Sequence, residues 1–183
     1  MIPSEEEALA LHRKYGSNDI MVRHSLTVAR VAKVIVDRFR RLGKPVDAAA
    51  VNAGALLHDI GRNRTQTVRH GVEGAAMLAD EGVQDCVVQI VRRHVGAGIS
   101  AEEAKKLGLP DFDYVPRTLE ERIVCFADKL VESDRVRPFA GEVERFVQKG
   151  HDVGRLTALK KGLQEELGQD PESLVLDNVK ESG

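Results

Sequence analysis

Three times in this chain a serine or threonine is followed three residues later by a glutamate, each time just ahead of a helix-like stretch: Ser4 with Glu7, Ser100 with Glu103, and Thr118 with Glu121. In such a pair the hydroxyl accepts a free N–H of the first turn and the carboxylate reaches back to the capping residue's own N–H. Each pair therefore marks a helix start. Stop signals match. One helix runs from about Asp19 to Leu42, where Gly43 and Pro45 end it. Asp47 caps the next, from Ala48 to about His58, and others cover His70 to Gly82 and Gln84 to His94. A short helix ends at Gly108, and the stretch from Leu109 to Arg117, with Pro110 and Pro116, reads as a loop. The helix opened by Thr118 is expected to reach about Asp134. Two or three weaker helices follow Pro138, one starting at Pro171 after Asp170. Alternating β-branched runs bounded by hairpin turns are missing. The expected fold class is all-α.

A chain of 183 residues, 42% hydrophobic, can bury its own core without disulfides. Its two cysteines, Cys86 and Cys125, make no disulfide framework or zinc-finger pattern and are read as buried thiols. With 27 basic against 29 acidic residues the net charge is -2, which speaks against a nucleic-acid partner, since general nucleic-acid binding leans on a basic excess. An anionic ligand must then be drawn by a local positive site. The first residues lack the basic and then apolar regions of a secretory signal, and no apolar run approaches the roughly 20 residues that cross a bilayer. A cytoplasmic protein with no membrane partner is expected.

Four helices carry a metal-binding side chain on an apolar stripe. His24 shares a face with Val28, Val31 and Ile35; His58 with Val51 and Ala55; His94 with Val87 and Val91; Asp128 with Val124 and Val131. A single histidine on such a face is more often a hydrogen-bonded core residue, and His12 and His151 are read that way. A buried carboxylate is harder to accommodate, because without a partner it costs several kcal/mol or loses its charge. Lys129 follows Asp128 directly, but neighbouring helical residues point apart, so it is read as a poor partner. Several helices turning His and Asp inward favour one shared partner, and a metal supplies it.

The sequence His58-Asp59-Ile60-Gly61, preceded by His24 and followed by Asp128 within Phe126-Ala127-Asp128, resembles the HD superfamily of metal-dependent phosphohydrolases. The resemblance covers roughly residues 18 to 137. His70-Gly71-Val72-Glu73-Gly74-Ala75 and then His94 are similar to the two-metal branch, which includes the HD-type diadenosine tetraphosphate hydrolases. It implies an HD-domain helical bundle over 1–137 (core 18–137) and a C-terminal helical extension, 138–183, packed on it. It also implies two divalent ions: His24, His58, Asp59 and Asp128 for one, His70 and His94 for the other, with Asp59 bridging. Imidazole and carboxylate together suit iron or manganese, with cobalt, nickel or zinc as further candidates.

Such ion pairs lie about 3.5–4 Å apart and clamp the oxygens of a phosphoryl displacement, while a bound water acidified from about 15.7 toward 7 supplies hydroxide. The resemblance therefore implies hydrolysis of a phosphoester or phosphoanhydride in a small nucleotide or dinucleoside polyphosphate, with Asp59 and Arg62 catalytic. Arg62 would bind substrate and offset phosphoryl charge, with Lys129 and Arg64 as further candidates. Glu73, placed where it could assist as a base, is read as a surface residue. Gly96-Ala97-Gly98 lets backbone approach a ligand closely, so the segment from Gly96 to Arg117 either borders substrate or simply connects two helices. Two alternatives share the ligand set: a diiron HD-domain oxygenase, and a nucleotide-binding module without turnover. A homodimer is left open.

Overall fold

The structure, a computed structural model, describes residues 1–180; the last residues of the expected C-terminal extension, 181–183, lie outside the described residues. The chain folds as α1 (Glu5–Tyr15), α2 (Asp19–Arg41), α3 (Ala48–Leu57), a 3-10 turn (Ile60–Asn63), α4 (His70–Asp80), α5 (Asp85–Arg93), α6 (Ala101–Lys106) and α7 (Leu119–Lys129). A two-strand hairpin, β1 (Val131–Glu132) with β2 (Arg135–Val136), follows, and then α8 (Phe139–Gln148), α9 (Val153–Leu167) and α10 (Pro171–Lys180). The fold class is all-α. All three capping boxes close in both directions, at α1, α6 and α7.

Helix α3 is apolar on nearly every face, and a helix of that kind belongs inside. It is contacted by α1, α2, α5 and α7. Val28, Val31, Ile35 and Phe39 on α2 are all fully buried, as are Leu56 and Leu57 on α3 and Ile123 and Phe126 on α7. The crossing of α3 and α5 is close enough to require a glycine. A Cβ on Gly54 would stand 2.5 Å from Ile90 Cγ2. The same hydrophobic cluster takes in Leu156, Leu163 and Leu167 of α9 and Val175 of α10.

The expected helix from Thr118 to Asp134 stops five residues early. Leu130 caps it, and residues 131–136 form a hairpin with Val131 opposite Val136 and Glu132 opposite Arg135. Arg137 N–H closes it onto Leu130 O at 2.8 Å. Strands of two residues carry no alternating pattern to detect, and the contacts that hold this turn come from α2, more than 100 residues away in sequence.

The 95–117 region has a core of its own. Ile99, Ala104, Leu109 and Tyr114 are buried together, against Val72, Val95 and Phe112. Arg93 fastens it: one guanidinium nitrogen donates to Asp113 O (2.6 Å) and Val115 O (2.9 Å). Its Nε lies 3.6 Å from Glu121 Oε1, with both side chains under 8% exposed. Removing one member of a buried ion pair strands the other. Glu121 keeps the N–H groups of Arg117 and Thr118, which moderates the loss. Arg93→Ala is expected to cost about 3 kcal/mol in urea denaturation, with the 109–117 segment becoming the most readily cleaved in limited proteolysis.

Candidate metal centre

Helix ends build this site. His58 is the C-terminal cap of α3 and His94 that of α5, while Asp128 is the next-to-last residue of α7. Helix C-termini gather partly negative carbonyls, so three of them meeting favour a cation between them. His70 opens α4, and His24 comes from the second turn of α2.

The side chains form two linked groups. In the first, His24 Nε2 lies 3.2 Å from His58 Nε2 and 3.1 Å from Asp128 Oδ1, with Asp128 Oδ1 3.4 Å from His58 Nε2. In the second, His70 Nε2 and His94 Nε2 are 3.1 Å apart. Asp59 joins them: Oδ2 faces His58 Nε2 at 3.7 Å, and Oδ1 stands 3.3 Å from His70 Nε2 and 3.4 Å from His94 Nε2. His24, His58 and Asp59 can offer ligand atoms all within 4.8 Å of one another, and so can Asp59, His70 and His94.

Every one of these imidazoles is held from behind. Nδ1 lies 2.7 Å from Ser133 O in His24, 2.8 Å from Ala55 O in His58, 2.7 Å from Thr67 O in His70 and 2.7 Å from Val91 O in His94. A carbonyl can only accept, so Nδ1 carries the proton. Each Nε2 is left with its lone pair toward the cluster, as a metal-binding histidine requires.

The electrostatics ask for a cation. Burial pushes the Asp128 carboxyl up, but Lys129 and then His24 and His58 outweigh it and hold the group well below the usual range. Asp59 behaves alike: burial raises it, while His58 and the imidazoles of His70 and His94 bring it far down. Burial lowers His58, yet Asp59 and Asp128 overcome this and raise it, the response of an imidazole set beside two carboxylates. Burial pushes His94 down to about 4, which keeps it neutral and fit to bind metal. Asp59 Oδ1 is buried and makes no aligned hydrogen bond, although two imidazoles approach it. Such an orphaned acceptor is costly unless something else fills its coordination. A divalent ion fits this donor set.

The site opens into a cavity of about 610 Å³. Arg62 lines it and pairs its Nε with Asp59 Oδ2 at 2.7 Å. Lys129 also lines it, but its ammonium is bound to Asp128 Oδ2 and the side chain is 8% exposed. The expectation that Lys129 makes a poor partner for Asp128 is thus overturned: at the last turn of a helix a long side chain can curl back to its neighbour. Arg64 lies toward Glu73, 3.6 Å away, outside the cavity lining. Of the segment from Gly96 to Arg117 only Gly96 borders the cavity, while Gly98 packs on Val115 and Pro116. The sequence reading missed the wall made by Glu142, Arg145 and Lys149, because nothing local ties α8 to α2 and α7.

Two other readings change. His12 is a hydrogen-bonded core residue as expected, bound to Ser17 Oγ at 2.8 Å and Leu56 O at 2.7 Å, but His151 is exposed and packs on the Phe146 ring at the cavity rim. Cys125 is buried, whereas Cys86 is exposed. Burial pushes the Cys125 thiol up to about 12. A neutral, enclosed thiol reacts poorly. One thiol per chain is expected to react with a disulfide reagent in the folded protein and two in denaturant.

Gly61 brings the 3-10 turn against α4: a Cβ there would stand 2.0 Å from His70 O and 2.4 Å from Gly74 N. Backbone cannot yield as a side chain tip does. Gly61→Ala is expected to destabilise the protein by about 3 kcal/mol, at the upper end of overpacking costs, and to reduce bound metal. Thermal denaturation and metal analysis would check both.

An all-helical bundle that gathers histidines and aspartates around one buried carboxylate is a metal-binding class of fold. The chain belongs to the HD domain family, whose profile matches residues 21–132. It is 40% identical over 178 residues to the tRNA (cytidine(56)-2'-O)-methyltransferase of Picrophilus torridus, covering 96% of this chain and 51% of that protein. It is 42% identical over 176 residues to the same-named protein of Thermoplasma volcanium, covering 95% of this chain and 51% of the relative. The chain thus spans about half the length of these curated relatives. An uncharacterized protein of Methanocaldococcus jannaschii is 44% identical over 126 residues, covering 69% of this chain and 74% of that one. Among solved structures, the HD domain of the L. monocytogenes phosphodiesterase PgpH superposes with a TM-score of 0.59 at 18% identity, covering 94% of this chain and 98% of that domain. The same domain in complex with cyclic-di-AMP gives 0.58 at 18% identity, covering 91% and 93%. At that identity the likeness concerns the fold. No helix among the described residues is long and apolar enough to cross a membrane.

Proposed function

We propose that this chain is a metal-dependent phosphohydrolase acting on a phosphoester or phosphoanhydride of a small nucleotide. The observation that carries the reading is the Asp59 carboxylate, set between two histidine groups with Oδ1 buried and unpartnered. His24, His58, Asp59 and Asp128 would hold one divalent ion, and Asp59, His70 and His94 a second. When bound, such ions supply Lewis acidity toward phosphoryl oxygens and acidify water.

The chain's own residues do the rest. The four Nδ1 contacts keep every Nε2 free for metal and hold ring orientation. Lys129 keeps Asp128 charged and in place. Arg62 spends only Nε on Asp59 and is 35% exposed, so its terminal N–H groups can meet phosphoryl oxygens and offset charge as the P–O bond breaks. Four cationic side chains, Arg62, Lys129, Arg145 and Lys149, face four carboxylates, Asp59, Asp128, Glu132 and Glu142, around the cavity. The metal charge is then the excess that draws a phosphate. Binding of cyclic-di-AMP by the PgpH HD domain lends support to a nucleotide.

The names of the two half-matched relatives favour a second reading, in which this segment serves a tRNA-modifying protein as a binding or partner module. Phosphate or nucleotide release, measured with manganese or cobalt over mononucleotides, dinucleoside polyphosphates and cyclic dinucleotides, separates the two. Turnover of one class, lost in Asp59→Ala together with both ions and accompanied in His94→Ala by loss of one ion, is the expected outcome. Metal-loaded protein that binds tRNA and releases nothing from any of these compounds would favour the module.

A further inference from the structure

Three of the four Nδ1 contacts are local. His58, His70 and His94 each donate to the carbonyl three residues earlier, so their own helix or turn sets the ring. His24 differs. Its carbonyl belongs to Ser133, 109 residues further on, one residue past the stretch that matches the HD profile. Ser133 is also the one non-glycine residue with positive φ among the described residues, at 57°. It is the first of two residues joining β1 to β2. A positive φ is a backbone conformation that favours glycine. This torsion aims the Ser133 carbonyl. The turn is pinned to α2 on either side of His24, by Arg23 Nε to Asp134 Oδ2 at 3.4 Å and by Thr27 Oγ1 donating to Asp134 O at 3.2 Å.

We propose that Ser133 is a positioning residue for the ion on the His24 side. Its main-chain carbonyl, aimed by the left-handed torsion, holds the His24 tautomer and directs Nε2 toward His58 and Asp128. The inference rests on the two-ion reading above and adds an asymmetry to it. The Asp59–His70–His94 group is organised within its own helices, whereas the His24 group depends on a distant turn.

The test is a titration of the metal-free 183-residue chain with manganese, counting bound ions by calorimetry and by the signal of free manganese. Two ions are expected in the unaltered chain. Ser133→Val disfavours the positive φ; it is expected to keep one ion at unchanged affinity and to bind the other 10- to 100-fold more weakly, the usual effect of losing an outer-shell partner. Ser133→Gly adopts the same torsion freely and is expected to bind both ions normally. In a His94→Ala background, Ser133→Val is expected to weaken the single remaining ion. A merely structural turn would lower the melting temperature and leave both affinities alone. Folded Ser133→Val with both ions at full affinity would overturn the proposal. Should that variant not fold, Thr27→Val, which removes one of the two contacts that pin Asp134 to α2 without touching Ser133, is expected to weaken the same ion, and unchanged affinity there would count against the proposal. Absence of manganese binding in the unaltered chain would instead remove the two-ion reading itself.

Discussion

One carboxylate organises this molecule. Asp59 sits where α3 gives way to the 3-10 turn, under 10% exposed, and touches imidazoles from three different helices. Keeping a charge there costs several kcal/mol unless other charges answer it. Arg62 answers part on Oδ2, and Oδ1 is left to a cation. The rest of the fold arranges this: α3 runs through the centre so that its last residue, His58, and the Asp59 that follows emerge in the middle of the bundle. Gly54 and Gly61 let α5 and α4 come close enough for His94 and His70 to reach them.

Much of this was legible because it is local. A capping box announces itself within four residues, and all three formed. The inward stripes of α2, α3, α5 and α7 could be read from spacing, and those stripes brought His24, His58, His94 and Asp128 within contact of one another or of Asp59. What escaped was tertiary. The end of α7 depends on a turn held by α2, so a pattern that reads on to Asp134 overran. Lys129 was dismissed on a rule for helix interiors, yet it stands on the final turn, where its stem bends back to Asp128. Cys86 falls in an apolar-looking stretch but occupies the exposed first turn of α5. The wall that α8 adds to the cavity has no local signature at all.

The relatives and the site address different lengths of protein. Two curated relatives carry a methyltransferase name over chains about twice this long. The histidine and aspartate cluster belongs to the half that matches, and its donor set suits a divalent cation. The two descriptions are compatible if the longer proteins join separate activities, each in its own half.

The convergence of three helix C-termini has a kinetic implication. Carbonyl ends at His58, His94 and Asp128 add negative potential to a cavity whose side-chain charges otherwise balance. That potential draws a cation toward the point where the three helices end. On the proposed reading, an anionic ligand would bind more quickly once a cation had offset that potential.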